Sequence, residues 1–222
     1  MRLFIVRHGE SISNTQGRMM SSTDLPLTEK GVRQAQAAME YLQGNIYGYV
    51  YSSPLIRAKQ TAAIISGKET GMVIRDELRE MNLGRCEGLT WKERYEFYGD
   101  IDCEHNLPQA AFPEGEDYAD VFARCKAFVM NDLAQIDKDA SALVVAHGIT
   151  IRVLINCIMG KPDHCVNYIN WPDNTAITEI DWRADCKILV RLNDMGHLTA
   201  SGLMAPKYDI WGAFSKTDYL TV

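Results

Sequence analysis

Two histidines stand in the same local setting. Leu3-Phe4-Ile5-Val6-Arg7-His8-Gly9 and Leu143-Val144-Val145-Ala146-His147-Gly148 each run a short apolar stretch into a histidine followed by glycine. Unbroken apolar stretches of this length fit strands buried on both faces of a parallel sheet. In such sheets ligands bind outside the carboxyl ends of the strands, so both imidazoles are expected at one crevice, and the glycines let backbone approach a ligand closely. Tyr49-Val50-Tyr51-Ser52 reads as another strand, and Ser53-Pro54 as the N-cap and first residue of a helix over 55–65. That puts Arg57 near the first turn of the helix, at the same sheet edge. Arg7 supplies a second guanidinium, whose planar fork matches phosphate oxygens in a way an ammonium does not. A lone His-Gly at a strand end is more often a turn, and a lone arginine is as often a surface residue. Two of each, converging, make an anion site.

The elements that must hold these residues can be read from periodicity. Thr28 caps a helix in which Val32, Ala35, Met39 and Leu42 form one apolar stripe. Met72-Val73-Ile74 is a third strand leading to Glu80. Asp117 caps a helix over 117–136 whose Val121, Phe122, Cys125, Phe128, Val129 and Leu133 share a face, and another helix follows Gly148 with Ile151, Leu154, Ile155 and Ile158 inward. Late strands are expected over 175–181 and 187–192. Strands alternating with helices predict an α/β fold with a mostly parallel central sheet.

Composition narrows the chemistry. The 222 residues suit a single domain, and 46% hydrophobic with 23% charged residues is an ordinary globular balance. No run approaches the roughly 20 apolar residues of a membrane span, and the first residues do not read as a signal peptide, so no membrane partner and a cytoplasmic location are expected. A net charge of −6 argues against nucleic acid as the main partner. The six cysteines include no C-x-x-C pair, and His164, near Cys157 and Cys165, lacks metal-site spacing, so no metal and no disulfide framework are expected.

The order of the motifs carries more than any one of them. Arg7-His8-Gly9-Glu10-Ser11 with Asn14, Asp24-Leu25-Pro26-Leu27-Thr28-Glu29-Lys30-Gly31, Ser52-Ser53-Pro54-Leu55 with Arg57-Ala58 and Gln60-Thr61-Ala62, Leu78-Arg79-Glu80 with Glu87-Gly88, and Val144-Val145-Ala146-His147-Gly148 follow one another over most of the chain. In this the sequence resembles the histidine phosphatase superfamily, which includes cofactor-dependent phosphoglycerate mutases and related broad-specificity phosphatases. The resemblance implies a three-layer α/β/α sandwich with a small helical cap lobe between Glu80 and His147, over about 81–140. It implies that His8 attacks phosphorus and carries a phosphohistidine intermediate, without cofactor or metal. Arg7, Arg57 and His147 then surround the phosphoryl oxygens, Glu80 is the general acid and base, and Asn14, Ser21 and Gly148 contribute to phosphate or substrate binding.

Two departures bear on substrate. Many relatives carry Gln-Gly where an ungapped count from His8 reaches Met20-Ser21, and Met20 has no side-chain donor. The stretch between Glu80 and His147 is short for the insertion with which mutases enclose a bisphosphate, which favours hydrolysis of a small phosphorylated metabolite. Cofactor-dependent phosphoglycerate mutase and a non-catalytic phosphate-binding module are the alternatives. Within that stretch Trp91, Lys92, Arg94, Tyr95, Tyr98 and His105 are expected on an amphipathic helix with its aromatics inward, with the lining of a substrate mouth as the alternative, and His164 and His197 are expected to be structural. The tail over 201–222 carries Tyr208, Trp211, Phe214 and Tyr219, apolar surface for packing on the body or in a homodimer.

Overall fold

The computed structural model describes residues 1–68, 70–102 and 105–203. The two apolar stretches ending in histidine are the central strands. β1 (Arg2–Arg7) and β4 (Ser141–Ala146) pair in parallel, Arg2 opposite Ser141 through Arg7 opposite Ala146, and each is buried at every position after its first. That register sets His8 and His147, each one residue further on, side by side. β2 (Tyr49–Ser52) pairs in parallel with the other edge of β4, and the short β3 (Val73–Ile74) pairs in parallel with β2. β5 (Ile177–Trp182) lies antiparallel to β1 and β6 (Lys187–Asp194) antiparallel to β5, giving the order β3-β2-β4-β1-β5-β6.

Alternation along the strands divides the interior into two cores. Phe4, Val6, Leu143 and Val145 face α1 (Glu29–Tyr41) and α2 (Ile56–Ser66), which bring Ala38, Ala58, Ala62 and Ile65. Leu3, Ile5, Ala142 and Val144 face α4 (Tyr118–Asn131) and α5 (Gly148–Met159), with Phe128, Val121, Leu154 and Ile158 among the residues packed there. This is the expected three-layer sandwich. The caps also form as read: Thr28 Oγ1 accepts from Gly31 N at 3.0 Å, and the Asp117 side chain accepts from Asp120 N at 3.0 Å.

Several boundaries differ from the sequence reading. The α2 helix begins at Ile56 with Leu55 as its N-cap, because Ser53 is drawn to His147 instead. The helix starting after Asp117 stops at Asn131, where the Asp132 carboxylate is held by Arg75 Nε and Nη2 at 2.9 and 2.6 Å; 133–135 form a separate 3-10 turn. The last strand pair starts at Ile177 rather than at 175, since Thr175 adopts φ +61° and donates its N–H to the Arg7 carbonyl at 3.0 Å. Between Glu80 and β4, α4 belongs to a main layer through its packing on α5, so the part left beside the site is 82–116 with α3 (Trp91–Tyr98). In α3 the aromatics divide: Trp91 packs inward against the core as expected, whereas Tyr95, Phe97 and Tyr98 are exposed and Arg94 is buried. A last short helix, α6 (Gly196–Ala200), packs on α1. Tyr208, Trp211, Phe214 and Tyr219 lie outside the described residues. No described helix is long and apolar enough to cross a membrane.

Candidate active site

A cavity of about 150 Å³ opens at the carboxyl ends of β1 and β4, and Arg7, His8, Asn14, Ser21, Arg57, Glu80 and His147 all line it. His8 and His147 stand with ring centroids 5.0 Å apart. The His8 Nδ1 lies 2.7 Å from the Gly9 carbonyl. A carbonyl can only accept, so Nδ1 carries the proton and the Nε2 lone pair is left for the cavity. His147 Nε2 lies 2.8 Å from Ser53 Oγ, and its buried Nδ1 has no partner. Burial holds both imidazole pKa values well below 6.5, with Arg7 and Arg57 adding to the effect on each and His8 also lowering His147. Both rings are therefore neutral at neutral pH.

The two arginines are tied to carbonyls. Arg57 donates from Nη1 to Thr23 O at 3.0 Å and from Nη2 to Ser21 O at 2.7 Å, and Arg7 donates from Nη1 to Pro172 O at 2.7 Å. These partners fix position without cancelling charge. Burial lowers the Arg7 pKa to about 10, opposed by Glu80 and Asp173, which still leaves it a cation at neutral pH. Arg7 Nε is buried without a partner, as are Ser13 Oγ and His147 Nδ1. Three unpartnered buried polar atoms on cavity-lining side chains describe a site built for an anion's oxygens.

Glu80 is set at the opening of α5. Its Oε1 accepts from Met81 N and Thr150 N at 3.0 and 3.1 Å and from Thr150 Oγ1 at 3.2 Å, and its Oε2 accepts from Ile149 N at 3.2 Å. Arg124 holds the approach to it by donating from Nη1 to the Glu77 and Arg79 carbonyls at 2.6 and 2.8 Å. The carboxylate is thus aimed by the backbone around it.

The remaining candidates occupy different roles from one another. Asn14 lines the cavity, with its Oδ1 accepting from Ser11 N and Oγ at 3.0 Å. Ser21 lines it too, but its hydroxyl donates to Met81 O and its N–H to the Glu87 carboxylate, so neither replaces the donor that Met20 lacks. What Ser21 gives the site is its carbonyl, to Arg57. Gly148 lies behind the cavity rather than on its wall: a Cβ there would meet the Trp171 ring at 2.5 Å. His164 is exposed, and His197 is buried with Nε2 2.9 Å from Thr175 Oγ1.

Sequence reasoning missed Ser13, Trp171 and the segment after it. Asn174 Nδ2 donates to His8 O at 3.0 Å, Thr175 N donates to Arg7 O, and Arg7 lies 5.8 Å from the centre of the Trp171 ring. Trp-Pro-Asp-Asn is legible as a turn, but that it straps the strand end carrying both Arg7 and His8 is a tertiary fact.

The family model for the histidine phosphatase superfamily (branch 1) matches residues 3–195. The probable phosphoglycerate mutase GpmB of Proteus mirabilis is 30% identical over 210 residues, covering 90% of this chain and 95% of that one. Among solved structures, a putative α-ribazole-5'-P phosphatase from Escherichia coli superposes with a TM-score of 0.78 at 27% identity, covering 87% of this chain and 96% of its own. A mycobacterial glucosyl-3-phosphoglycerate phosphatase in complex with VO3 also gives 0.78, at 28% identity, covering 86% and 98%. Matched by that model across nearly its whole described length, this protein belongs to the histidine phosphatase superfamily, branch 1.

Proposed function

We propose that the protein is a phosphomonoester hydrolase acting through a phosphohistidine on a small phosphorylated metabolite, without a metal. The observation that carries this is the state of His8: a neutral ring, its Nδ1 engaged by Gly9 O and its Nε2 turned to a cavity that also holds two carbonyl-tied arginines. Nε2 attacks phosphorus as the bond to the ester oxygen breaks, and the electron pair leaves with that oxygen, which takes a proton from Glu80. Water then attacks the phosphohistidine and gives its proton to Glu80, and the P–N bond breaks. Arg7, Arg57 and the Nδ1 side of His147 stabilise the charge on the phosphoryl oxygens throughout. Support from relatives is divided, since the two structural neighbours above are named as phosphatases and the curated relatives from Proteus and Yersinia as probable mutases.

The test is rapid quenching with a ³²P-labelled phosphomonoester. Acid-labile label on the wild-type chain, none on His8→Ala, and turnover unchanged by EDTA are expected; acid-stable label, or activity lost to EDTA and restored by a metal, sinks the reading. The mutase alternative is separated by supplying 3-phosphoglycerate with and without a bisphosphate primer. Primer-dependent isomerisation faster than phosphate release would favour it.

A further inference from the structure

The walls beyond the anion site are mostly apolar. Met20, Leu83, Trp91, Phe112, Ile149 and Trp171 line the same cavity as His8 and Glu80. A volume near 150 Å³ is the size that holds a benzene-sized body, and this cavity is open to one side. The phosphoryl group and the first atoms of the alcohol therefore fill it, and the rest of the alcohol lies along these walls. Charge tells the same story. Arg7 and Arg57 are the cations of the phosphoryl site, and among the described lining residues the remaining cation is Arg18. Its Nη1 donates to Gly88 O at 2.7 Å and lies 3.5 Å from the Glu93 carboxylate. A second negative group on the substrate would meet Glu80 and an already engaged Arg18. Met20 on the cavity wall has no side-chain donor, and the nearby Ser21, Ser22 and Thr23 N–H groups all donate to Glu87.

We propose that the ester accepted here has an uncharged, apolar alcohol, aromatic or bulky aliphatic, in preference to a hydroxy acid or a second phosphate, with Trp91 as a specificity-determining wall. This rests on the phosphomonoesterase reading. Trp91 opens α3 after the Thr90 cap, and Arg94 lies over its ring at 5.4 Å, so the indole is held from within its own helix while it lines the cavity.

Three primary-alcohol esters with leaving groups of similar acidity test it: 2-phenylethyl phosphate, glycerol 3-phosphate and 3-phosphoglycerate. The expected result is a kcat/KM for the phenylethyl ester at least about tenfold above that for 3-phosphoglycerate, since an aromatic contact of ordinary strength is worth about that factor. Trp91→Ala should remove about tenfold from the phenylethyl ester alone and change glycerol 3-phosphate less than about twofold, while Trp91→Phe keeps the preference. A preference for 3-phosphoglycerate, or an equal loss on all three esters in Trp91→Ala, overturns the proposal. Calorimetric binding to the His8→Ala protein separates it from the mechanism. Tighter binding of the phenylethyl ester supports the apolar wall even if no ester is hydrolysed, which would defeat only the phosphatase reading. Binding of 3-phosphoglycerate as tight or tighter, or no binding of the phenylethyl ester at millimolar concentration, overturns the wall whatever the turnover.

Discussion

Ser53 shows how a residue that looks like a helix cap serves a different partner. Its hydroxyl lies 2.8 Å from His147 Nε2, which leaves His147 Nδ1 as the ring atom free for a phosphoryl oxygen. Ser53→Ala releases that orientation, and kcat should fall about tenfold with KM changed less, the size of one hydrogen bond to a group that acts in the transition state. Steady-state kinetics decide it, and an unchanged kcat would mean that His147 is held by packing alone. The arginines make a second prediction at this scale. Arg7 and Arg57 both push the His8 pKa down, beyond what burial does, so the acid limb of kcat/KM in the wild-type protein should lie below pH 6.5. Arg57→Gln removes one of those charges, and besides weakening binding it should move the acid limb upward. A limb that stays in place assigns the titration to another group. His8, His147 and Arg57 were legible because each sits where a strand gives way to a loop or helix, a boundary that sequence marks with glycine and proline. Ser13 was not: its buried, unpartnered hydroxyl has no signature in residue type or spacing.

At the scale of elements, the cavity side chains are held in place by the segments packed around them. Glu87 accepts from Ser21 N, Ser22 N, Thr23 N and Thr23 Oγ1, and the loop so gathered presents the Ser21 and Thr23 carbonyls to Arg57. Trp171 is the corresponding piece on the other side, packed on Gly148 at the start of α5 and under Arg7, whose Nη1 reaches Pro172 O. Gly148→Ala therefore forces the indole away, and the expected loss in kcat/KM is at least about tenfold, from misplacing Arg7 by a fraction of an ångström. The double variant Gly148→Ala with Trp171→Ala should lose less than the two single losses multiplied, because the clash disappears with the ring. Multiplicative losses would mean that Gly148 matters through its own backbone. Helix starts with a side-chain cap, at Thr28 and Asp117, were readable from local chemistry. The start of α2 and the facing of α3 were not, since Ser53 is claimed by a residue 94 positions away and the exposed Tyr95, Phe97 and Tyr98 break the rule that aromatics turn inward.

For the molecule as a whole, the alternation of strands and helices predicts a parallel sheet through β4, and that much is what forms. The antiparallel return of β5 along β1 is not encoded in alternation, and it is this return that carries Asn174 and Thr175 to the His8 strand end. Its anchor is His197 on α6, with Nε2 2.9 Å from Thr175 Oγ1 and Nδ1 buried without a partner. Burial lowers the His197 pKa to about 4, against 6.5 in the unfolded chain, and His8 and His147 are lowered in the same direction. Below pH 6.5 the unfolded state takes up protons that the folded state refuses, so stability is full above that pH and falls as pH drops toward the folded values. Each histidine adds about 1.4 kcal/mol per pH unit to that slope once the unfolded form is protonated. Urea unfolding of the wild-type protein at pH 7.5, 6 and 5 should show the decline, and His197→Asn, which lies outside the reacting groups, should be less stable at pH 7.5 yet decline less steeply. Parallel declines in the two proteins would mean that His197 takes up its proton without unfolding, and that the anchor of the return strand is open to water.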